Sequence, residues 1–333
     1  MKVYDNSMIR SISILGHSGC GKTNLIEAIS FITNSKNKTP KLSDKVNMTY
    51  SMGLVPTEYN EYKYNLLDTP GYSDFNGEVI SALSASDAAI IVVDATTDIQ
   101  VGTEKALELT ENIPKIIFIN KIDNEKSRYK DTLEMLRDKY GNNIVPMIIP
   151  IYKDKKFIKL HNIFENMDTL EGEFKSQAIS VKEALLELIA ETDDEILEKY
   201  FSGEELSNND IQKGLIIGMQ RGDIIPVICG STLNNIGTID ILETVSKYLE
   251  PRYTKQSNNF KGLIFKTIVD PFVGKMSYLK VTHGSLSKDD EVFNLNKNIK
   301  EKIDSLYTIN NNELIETNNA KCGDIVVLTK INS

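Results

Sequence analysis

The stretch GHSGCGKT at residues 16–23 restricts the possible folds of this chain more than any other part of the sequence. It has the spacing G-x-x-x-x-G-K-T and stands between the apolar run SISIL and the helical pattern NLIEAIS. Such a loop turns its backbone N–H groups toward phosphate oxygens, and the helix N-terminus after it favours their negative charge. The sequence therefore predicts a phosphate-binding loop between a buried strand and a helix of an α/β fold.

The residue types inside this loop suit phosphate and metal binding. Glycines at positions 19 and 21 let the backbone turn toward the ligand. Lys22 is predicted to reach the β- and γ-phosphates, and Thr23 is predicted to coordinate Mg²⁺. The predicted phosphate-binding residues are Gly16, His17, Ser18, Gly19, Cys20, Gly21, Lys22, Thr23 and Asn24.

DTPG at residues 68–71 predicts the metal side of the same site. It ends the apolar run KYNLLD, so Asp68 can reach Mg²⁺ through water and the Gly71 N–H can contact a γ-phosphate. Thr69 and Pro70 complete the predicted nucleotide contacts here. The tetrapeptide alone is also an ordinary turn, so its weight depends on the phosphate loop.

NKID at residues 120–123 predicts guanine as the base. Asp123 can accept two hydrogen bonds from the N1 and 2-amino groups of guanine, whereas adenine presents the opposite donor pattern. Asn120 is expected to meet O6 and N7 of the base, with Lys121 beside it. CGST at residues 229–232 ends a later apolar run, and its predicted site residues are Gly230, Ser231 and Thr232. There we expect Ser231 and the Thr232 backbone to brace Asp123 and the base, although this stretch is uninformative by itself.

The residue after DTPG raises the question of catalysis, which we assign to Tyr72 and Gly71. A phenol keeps its proton near neutral pH and is a poor base, so hydrolysis of GTP is expected to be slow. Tyr72 can still hydrogen-bond a water or pack over the γ-phosphate. The alternative is that Tyr72 points away and the backbone of Gly71 suffices.

A threonine from the segment after the first helix is expected to join the metal when GTP is bound. Thr39, Thr49 and Thr57 are candidates. Thr49 is preferred as a Mg²⁺ ligand because it lies just ahead of the strand GLVPTEY, whereas Thr57 lies inside that strand.

The order of apolar runs predicts a doubly wound α/β sheet over the first 140 residues, with a hairpin joining GLVPTEY to KYNLLD. IIPVICGS and IDILETVSKYL supply a last strand and helix. Between the first 140 residues and this last strand lies an inserted α+β subdomain at about residues 145–220, with strands followed by two helices over 181–202 and 208–220, the second capped by Ser207 or Asn209. After a polar linker at 251–259, short strands and turns predict a small β-barrel at 260–333.

Composition excludes several classes of protein. The net charge of −9 disfavours nonspecific binding to nucleic acid, so no DNA partner is expected. Three scattered cysteines fit a reducing cytoplasm, and no apolar run approaches the length of a membrane span. We expect a cytoplasmic monomer that does not bind a membrane.

The chain resembles the N-terminal half of translation elongation factor G, and more closely its elongation factor G-like paralogues. GHSGCGKTNLIEAIS, DTPGYSDFNGEV, NKID and PVICGST carry the resemblance in a GTP-binding domain at 1–252. LLELIAETDDEILEKYFSGEEL resembles the helical insertion of that family, and FKTIVDPFVGKMSYLKVTHGSLSKDDEVFN resembles the start of its second, β-barrel domain.

The resemblance implies GTP or GDP with Mg²⁺ as cofactors and the ribosome as partner, through its stalk protein and ribosomal RNA. It also implies that the C-terminal domains of the family are absent, so this chain alone should not translocate. Tyr72 stands where the family has the histidine that positions the attacking water, and Gly19 stands where it has an aspartate that helps hold a monovalent cation. His17, His161 and His283 are expected to be structural. The alternatives are a GTP/GDP switch that hardly hydrolyses and a ribosome-protection factor.

Overall fold

The computed structural model of this protein describes residues 4–33, 51–253, 259–310, 313–329 and 331. Thr39 and Thr49 lie outside the described residues, as does most of the predicted linker. Of the helices that are described, none is long and apolar enough to cross a membrane.

The residues up to 253 alternate strands and helices. In chain order the elements are β1 (Ile9–Leu15), α1 (Lys22–Thr33), β2 (Gly53–Tyr59), β3 (Tyr62–Asp68), α2 (Asn76–Ala85), β4 (Ala88–Asp94), α3 (Val101–Leu109), β5 (Lys115–Asn120), α4 (Tyr129–Tyr140), β6 (Ile144–Pro146), β7 (Ile148–Lys153), β8 (Lys156–Asn162), α5 (Gly172–Ala190), α6 (Asp194–Phe201), α7 (Asn208–Arg221), β9 (Ile225–Cys229) and α8 (Thr238–Tyr248).

Seven of these strands form one sheet with the order β2-β3-β1-β4-β5-β9-β6. β2 is antiparallel to β3, and the other neighbouring pairs are parallel. β4 and β5 are buried along their whole length, as expected of parallel strands covered by helices on both faces. The β2–β3 hairpin turns at Asn60 and Glu61, both with positive φ, so its two strands connect tightly. The predicted α/β fold is confirmed.

The excursion between β6 and β9 holds the two-stranded sheet β7–β8 and three helices. The single helix expected over 181–202 is wrong in detail, because α5 ends at Ala190 and α6 starts at Asp194. The Asp193 side chain accepts a hydrogen bond from the Glu195 N–H and so caps a new helix. α7 begins with a capping box in which Ser207 and Asp210 satisfy each other's backbone N–H groups. Ser207, one of the two predicted caps, is therefore the N-cap.

The strands after residue 259 are antiparallel, and we call this unit the β module. They are β10 (Lys261–Asp270), β11 (Gly274–His283), β12 (Ser285–Ser287), β13 (Glu291–Asn294), β14 (Ile299–Lys302), β15 (Leu306–Asn310), β16 (Glu313–Thr317), β17 (Asn319–Lys321) and β18 (Ile325–Thr329). Five form a sheet in the order β10-β11-β18-β15-β16, and β12–β17 and β13–β14 form two further pairs.

The β module packs against the large sheet through a shared apolar core and buried ion pairs. The core joins Met52, Leu54, Leu67 and α2 to strands β10, β11, β15 and β18. Lys63 bonds Asp324 at 2.7 Å across the contact. Lys280 is fully buried and donates to the Ser11 hydroxyl at 2.7 Å. Burial lowers the pKa of Lys280.

Candidate nucleotide-binding site

Four predicted stretches meet at one edge of the large sheet. The phosphate loop follows β1, and DTPG, NKID and CGST begin at the last residues of β3, β5 and β9. These strands are neighbours or next neighbours, and all run parallel, so their carboxyl ends lie side by side. Open α/β sheets bind ligands at this edge.

The phosphate loop is closed by Lys22 and by glycine conformations. The Lys22 ammonium, which is buried, donates to the carbonyls of Gly16 at 3.0 Å and His17 at 2.9 Å. Gly16, Gly19 and Gly21 all have positive φ, which side chains with a Cβ rarely adopt. The loop thus wraps around the ammonium of Lys22 and leads into α1, whose first residue is Lys22. Ser18, in the loop, and Asn24, in the first turn of α1, are half-buried.

Asp68 and Thr23 form the side of the site where a metal was predicted. The Thr23 hydroxyl donates to Asp68 Oδ2 at 2.9 Å. Asp68 is 8% exposed, and its Oδ1 is buried with no hydrogen-bond partner among the described residues. Burial raises the pKa of Asp68, opposed by the bond from Thr23 and the charge of Lys22. A buried carboxylate oxygen that lacks a partner beside a threonine hydroxyl fits Mg²⁺, which prefers hard oxygen ligands.

Thr69 and Pro70 continue from Asp68 and are buried. The Thr69 hydroxyl donates to the carbonyl of Ile14 at 2.6 Å. This bond anchors the loop after β3 to the end of β1 and fixes the entry of DTPG beside the phosphate loop.

Asn120 connects the base loop to the phosphate loop. Its amide donates to the Cys20 carbonyl at 2.8 Å and to the Thr232 hydroxyl at 3.2 Å, and its oxygen accepts from the Thr232 N–H at 3.0 Å. A Cβ on Gly21 would overlap the amide nitrogen of Asn120. Glycine at position 21 is therefore required by this close approach as well as by φ. Cys20 is buried, and its burial raises the pKa of the thiol, consistent with a structural role.

Asp123 has a partner that sequence reasoning did not identify. Its carboxylate accepts a hydrogen bond from the side chain of Asn234, in the loop after β9. Ser231, predicted to brace Asp123, is buried and its backbone pairs with Ile236. Thr232 braces Asn120 instead. The Gly230 carbonyl accepts from the Ile122 N–H at 3.2 Å, which seats the NKID loop on the end of β9.

Lys121 also takes part in a contact that the sequence did not reveal. Its ammonium bonds Asp94 at 2.5 Å and the Gly19 carbonyl at 3.0 Å. Asp94 ends β4 and is 9% exposed. The position of Asp94 at a strand's carboxyl end was the available signal, but no motif marks it.

Tyr72 lies at the rim of a cavity of about 260 Å³ between the phosphate loop, DTPG and α3. Tyr72 is 38% exposed, and the chain then forms a single 3-10 turn at Ser73–Phe75 before α2. His17 lines the same cavity, and its Nδ1 accepts from the Gly102 N–H at 3.3 Å. Burial and the charge of Lys22 lower the pKa of His17, so it is neutral at pH 7.

The alternative metal threonine, Thr57, is buried in β2, and its hydroxyl pairs with that of Thr33. This contact joins the end of α1 to β2. The preferred candidate, Thr49, lies outside the described residues, so its role stays a prediction.

A phosphate loop, a buried aspartate beside its threonine and an NKID loop along one edge of a mostly parallel sheet are the arrangement of the P-loop GTP-binding proteins. Residues 7–251 match the family described as the elongation factor Tu GTP binding domain, and residues 259–333 match elongation factor G domain 2. The first match covers well over half of the chain. The chain therefore belongs to this family of GTP-binding elongation factors, which confirms the resemblance seen in the sequence.

Individual relatives agree with the family match. An elongation factor G-like protein of Thermotoga maritima is 28% identical over 97% of this chain, and elongation factor G of the same organism is 31% identical over 97%. A crystal structure of a protein from Thermus thermophilus has a TM-score of 0.87 and 30% identity, and it covers 97% of this chain and 52% of that one. The chain spans about half the length of the curated relatives it matches, 52% and 54% of these two.

Proposed function

We propose that this chain binds GTP and GDP with Mg²⁺ and forms the nucleotide-binding part of an elongation factor G-like translation factor. The observation that carries the proposal is the contact made by Asn120. The Asn120 side chain, at the start of NKID, donates to the Cys20 carbonyl of the phosphate loop at 2.8 Å and accepts from the Thr232 N–H of CGST at 3.0 Å. It therefore joins the phosphate loop to the loops predicted to hold the base. The two ends of one nucleotide would therefore be bound by loops with a fixed separation, with Asp123 available to the base.

Thr23 and Asp68 would hold the Mg²⁺, with Thr49 as the proposed third group. When bound, the metal supplies positive charge to the β- and γ-phosphate oxygens. The carboxylate of Asp68 would then gain a second positive charge besides that of Lys22, while Thr23 and Lys22 orient the phosphates.

We further propose that hydrolysis by this chain alone is slow. The Tyr72 ring is exposed at the cavity rim and carries a phenol that is a poor base at neutral pH. His17 is neutral and lies in the same cavity, but its Nδ1 is occupied by the Gly102 N–H. The alternative, in which the Gly71 backbone suffices and a partner supplies the remaining catalysis, predicts acceleration by that partner.

The ribosome is the proposed partner, through stalk protein and ribosomal RNA, with the factor acting as a cytoplasmic monomer. Membership of the elongation factor family supports this, as do the matches to elongation factor G and its G-like relative. A nucleotide switch that hardly hydrolyses and a ribosome-protection factor share the same site, and the rate of turnover on ribosomes distinguishes them.

The guanine assignment is tested by Asp123→Asn. The carboxylate accepts from N1 and the 2-amino group of guanine, whereas an amide fits the N1–H and 2-carbonyl of xanthine better. Titration with labelled GDP, ADP and xanthosine diphosphate should show GDP preferred by the unmodified chain and xanthosine diphosphate preferred by the variant. If ADP bound the unmodified chain as tightly as GDP does, NKID would not select guanine.

The role of Tyr72 is tested by Tyr72→His in hydrolysis assays with and without ribosomes. The unmodified chain should turn over GTP at about 10⁻⁴ s⁻¹, the rate of GTPases that lack a supplied catalytic group. A positioned imidazole should raise the rate about 10²-fold or more. Fast GTP turnover by the unmodified chain without ribosomes would contradict the proposal of slow hydrolysis. A Tyr72→His variant with the same rate as the unmodified chain would favour the alternative in which Gly71 suffices.

A further inference from the structure

Lys266, in strand β10 of the β module, reaches across to the nucleotide-binding part of the chain. Its side chain is 7% exposed. Its ammonium donates to Glu78 Oε2 at 2.8 Å, to the Met52 carbonyl at 2.9 Å and to the Ser51 hydroxyl at 2.5 Å. One buried cation thus holds two segments that are far apart in the sequence.

Both segments adjoin the predicted γ-phosphate side of the site. Glu78 lies in the first turn of α2, which follows DTPGYSDF directly. Met52 immediately precedes β2, whose first residue, Gly53, pairs in register with Asp68. A movement of DTPG therefore displaces α2, β2 or both.

Lys266, Glu78 and Met52 are also hydrogen-bonded to one another. Glu78 Oε2 accepts from the Met52 N–H at 2.7 Å, so helix and strand entry are joined even before Lys266 is counted. Burial opposes ionisation of Glu78, but the bonds from Lys266 and Met52 outweigh it and lower the pKa of the carboxyl group. The ammonium of Lys266 borders an apolar cluster that includes Met52, Ala82 and Phe265, and Glu78 is 31% exposed at its edge. Loss of Lys266 would leave Glu78 without its counter-charge there.

In this arrangement Gly71 lies against the phosphate loop. A Cβ on Gly71 would lie 2.7 Å from the Ser18 nitrogen and would overlap the Lys22 ammonium. Given a C–C bond of about 1.5 Å, the Gly71 Cα stands within about 4.2 Å of that nitrogen. If the N–H groups of Gly71 and Ser18 both donated to one phosphate, with bonds of about 2.9 Å each, these two backbone segments would lie farther apart than this. A terminal phosphate therefore requires Gly71 to move outward, together with the chain that leads into α2.

We propose that Lys266 determines the preference of the site between guanosine di- and triphosphate, by holding α2 and Met52 where Gly71 stays close to the phosphate loop. Lys266 is a positioning residue that acts through Glu78, and the inference rests on the proposed guanine-nucleotide function. The β module thereby favours the diphosphate, and triphosphate binding works against the contacts of Lys266.

The test compares Lys266→Met with the unmodified 333-residue chain. Affinities for GDP and for guanosine 5′-(β,γ-imido)triphosphate are measured by displacement of a fluorescent GDP. The ratio of triphosphate to diphosphate affinity should rise about tenfold, the scale of one charge-assisted hydrogen bond. GDP affinity should stay within about threefold, because the phosphate and base loops are untouched.

Two lysine variants separate positioning from charge and packing. Lys261→Met removes an exposed lysine of the same strand and should leave the ratio unchanged. Lys266→Arg keeps a donor and a charge, so its ratio of triphosphate to diphosphate affinity should stay close to that of the unmodified chain. If Lys266→Met does not fold, Glu78→Gln tests the same contact and should raise the ratio at least about threefold.

Each result decides the question. An unchanged ratio in Lys266→Met and Glu78→Gln, or a shift toward GDP, overturns the inference while leaving the proposed function intact. An equal shift in Lys261→Met also overturns it, since that reports a general charge effect. Failure of the unmodified chain to bind GDP overturns the proposed function itself.

Discussion

Substituting Gly21 by alanine should uncouple the phosphate loop from the base loop. The new Cβ would overlap the amide nitrogen of Asn120, at a backbone φ of +105°. Asn120 would have to turn away, losing its bonds to the Cys20 carbonyl at 2.8 Å and the Thr232 hydroxyl at 3.2 Å. The phosphate loop and the NKID loop would then keep the bond from the Lys121 ammonium to the Gly19 carbonyl but lose their buried connection through Asn120.

The magnitude follows from comparison with Gly19→Ala. Gly19 also has positive φ, +80°, but a Cβ there meets nothing within 4 Å. Both substitutions carry backbone strain of about 1–2 kcal/mol. Only Gly21→Ala breaks the two Asn120 bonds, each worth about 1 kcal/mol net. GDP affinity should therefore fall about 30-fold further in Gly21→Ala than in Gly19→Ala.

The assay is titration of labelled GDP into both variants, with circular dichroism as the check that each is folded. A third variant, Asn120→Ala, lacks the backbone strain but should also weaken GDP binding about 30-fold, and adding Gly21→Ala to it should cost only the strain that Gly19→Ala also carries. Equal affinities of Gly19→Ala and Gly21→Ala would refute the reasoning, because the contact with Asn120 would then carry no binding energy.

Two further predictions concern the phosphate and metal side. Lys22→Ala should weaken GDP binding at least about 30-fold, because a charge-assisted bond to phosphate is lost. The control Lys105→Ala, at the rim of the neighbouring cavity, should leave GDP affinity unchanged. Unchanged GDP affinity in Lys22→Ala would contradict the assignment of the phosphate loop. Asp68→Asn should raise the melting temperature measured without nucleotide and metal at pH 7, and should weaken the dependence of nucleotide affinity on Mg²⁺. Burial raises the pKa of Asp68, so the contribution of this group to the free energy of unfolding is favourable at acidic pH and is lost as pH rises through the raised pKa. At pH 7 the folded protein then holds a buried charge, which the amide of the variant avoids. A lower melting temperature with the Mg²⁺ dependence retained would contradict this.

The sequence predicted the parts of the site whose chemistry is local. GHSGCGKT needs glycines because its own backbone must turn, and DTPG and NKID sit at strand ends that show as apolar runs. The alternation of such runs with helical patterns predicted the α/β sheet, and Ser207 was identifiable because a capping box spans only four residues. The division of the predicted helix at 181–202 was missed, since the pattern is helical on both sides and Asp193 alone signals a new start.

The remaining contacts depend on chain segments that only folding brings together. Asn234 lies 111 residues after Asp123, and Lys266 lies 188 residues after Glu78, so neither pair forms a motif. Lysine and glutamate are usually solvated surface residues, and nothing in the sequence marks these two as a pair. Local conformational requirements are written into neighbouring residues, whereas the pairing of distant charges is decided by how the β module packs on the sheet. The sequence by itself thus determined the nucleotide loops, and the tertiary structure decided which side chains hold those loops in place.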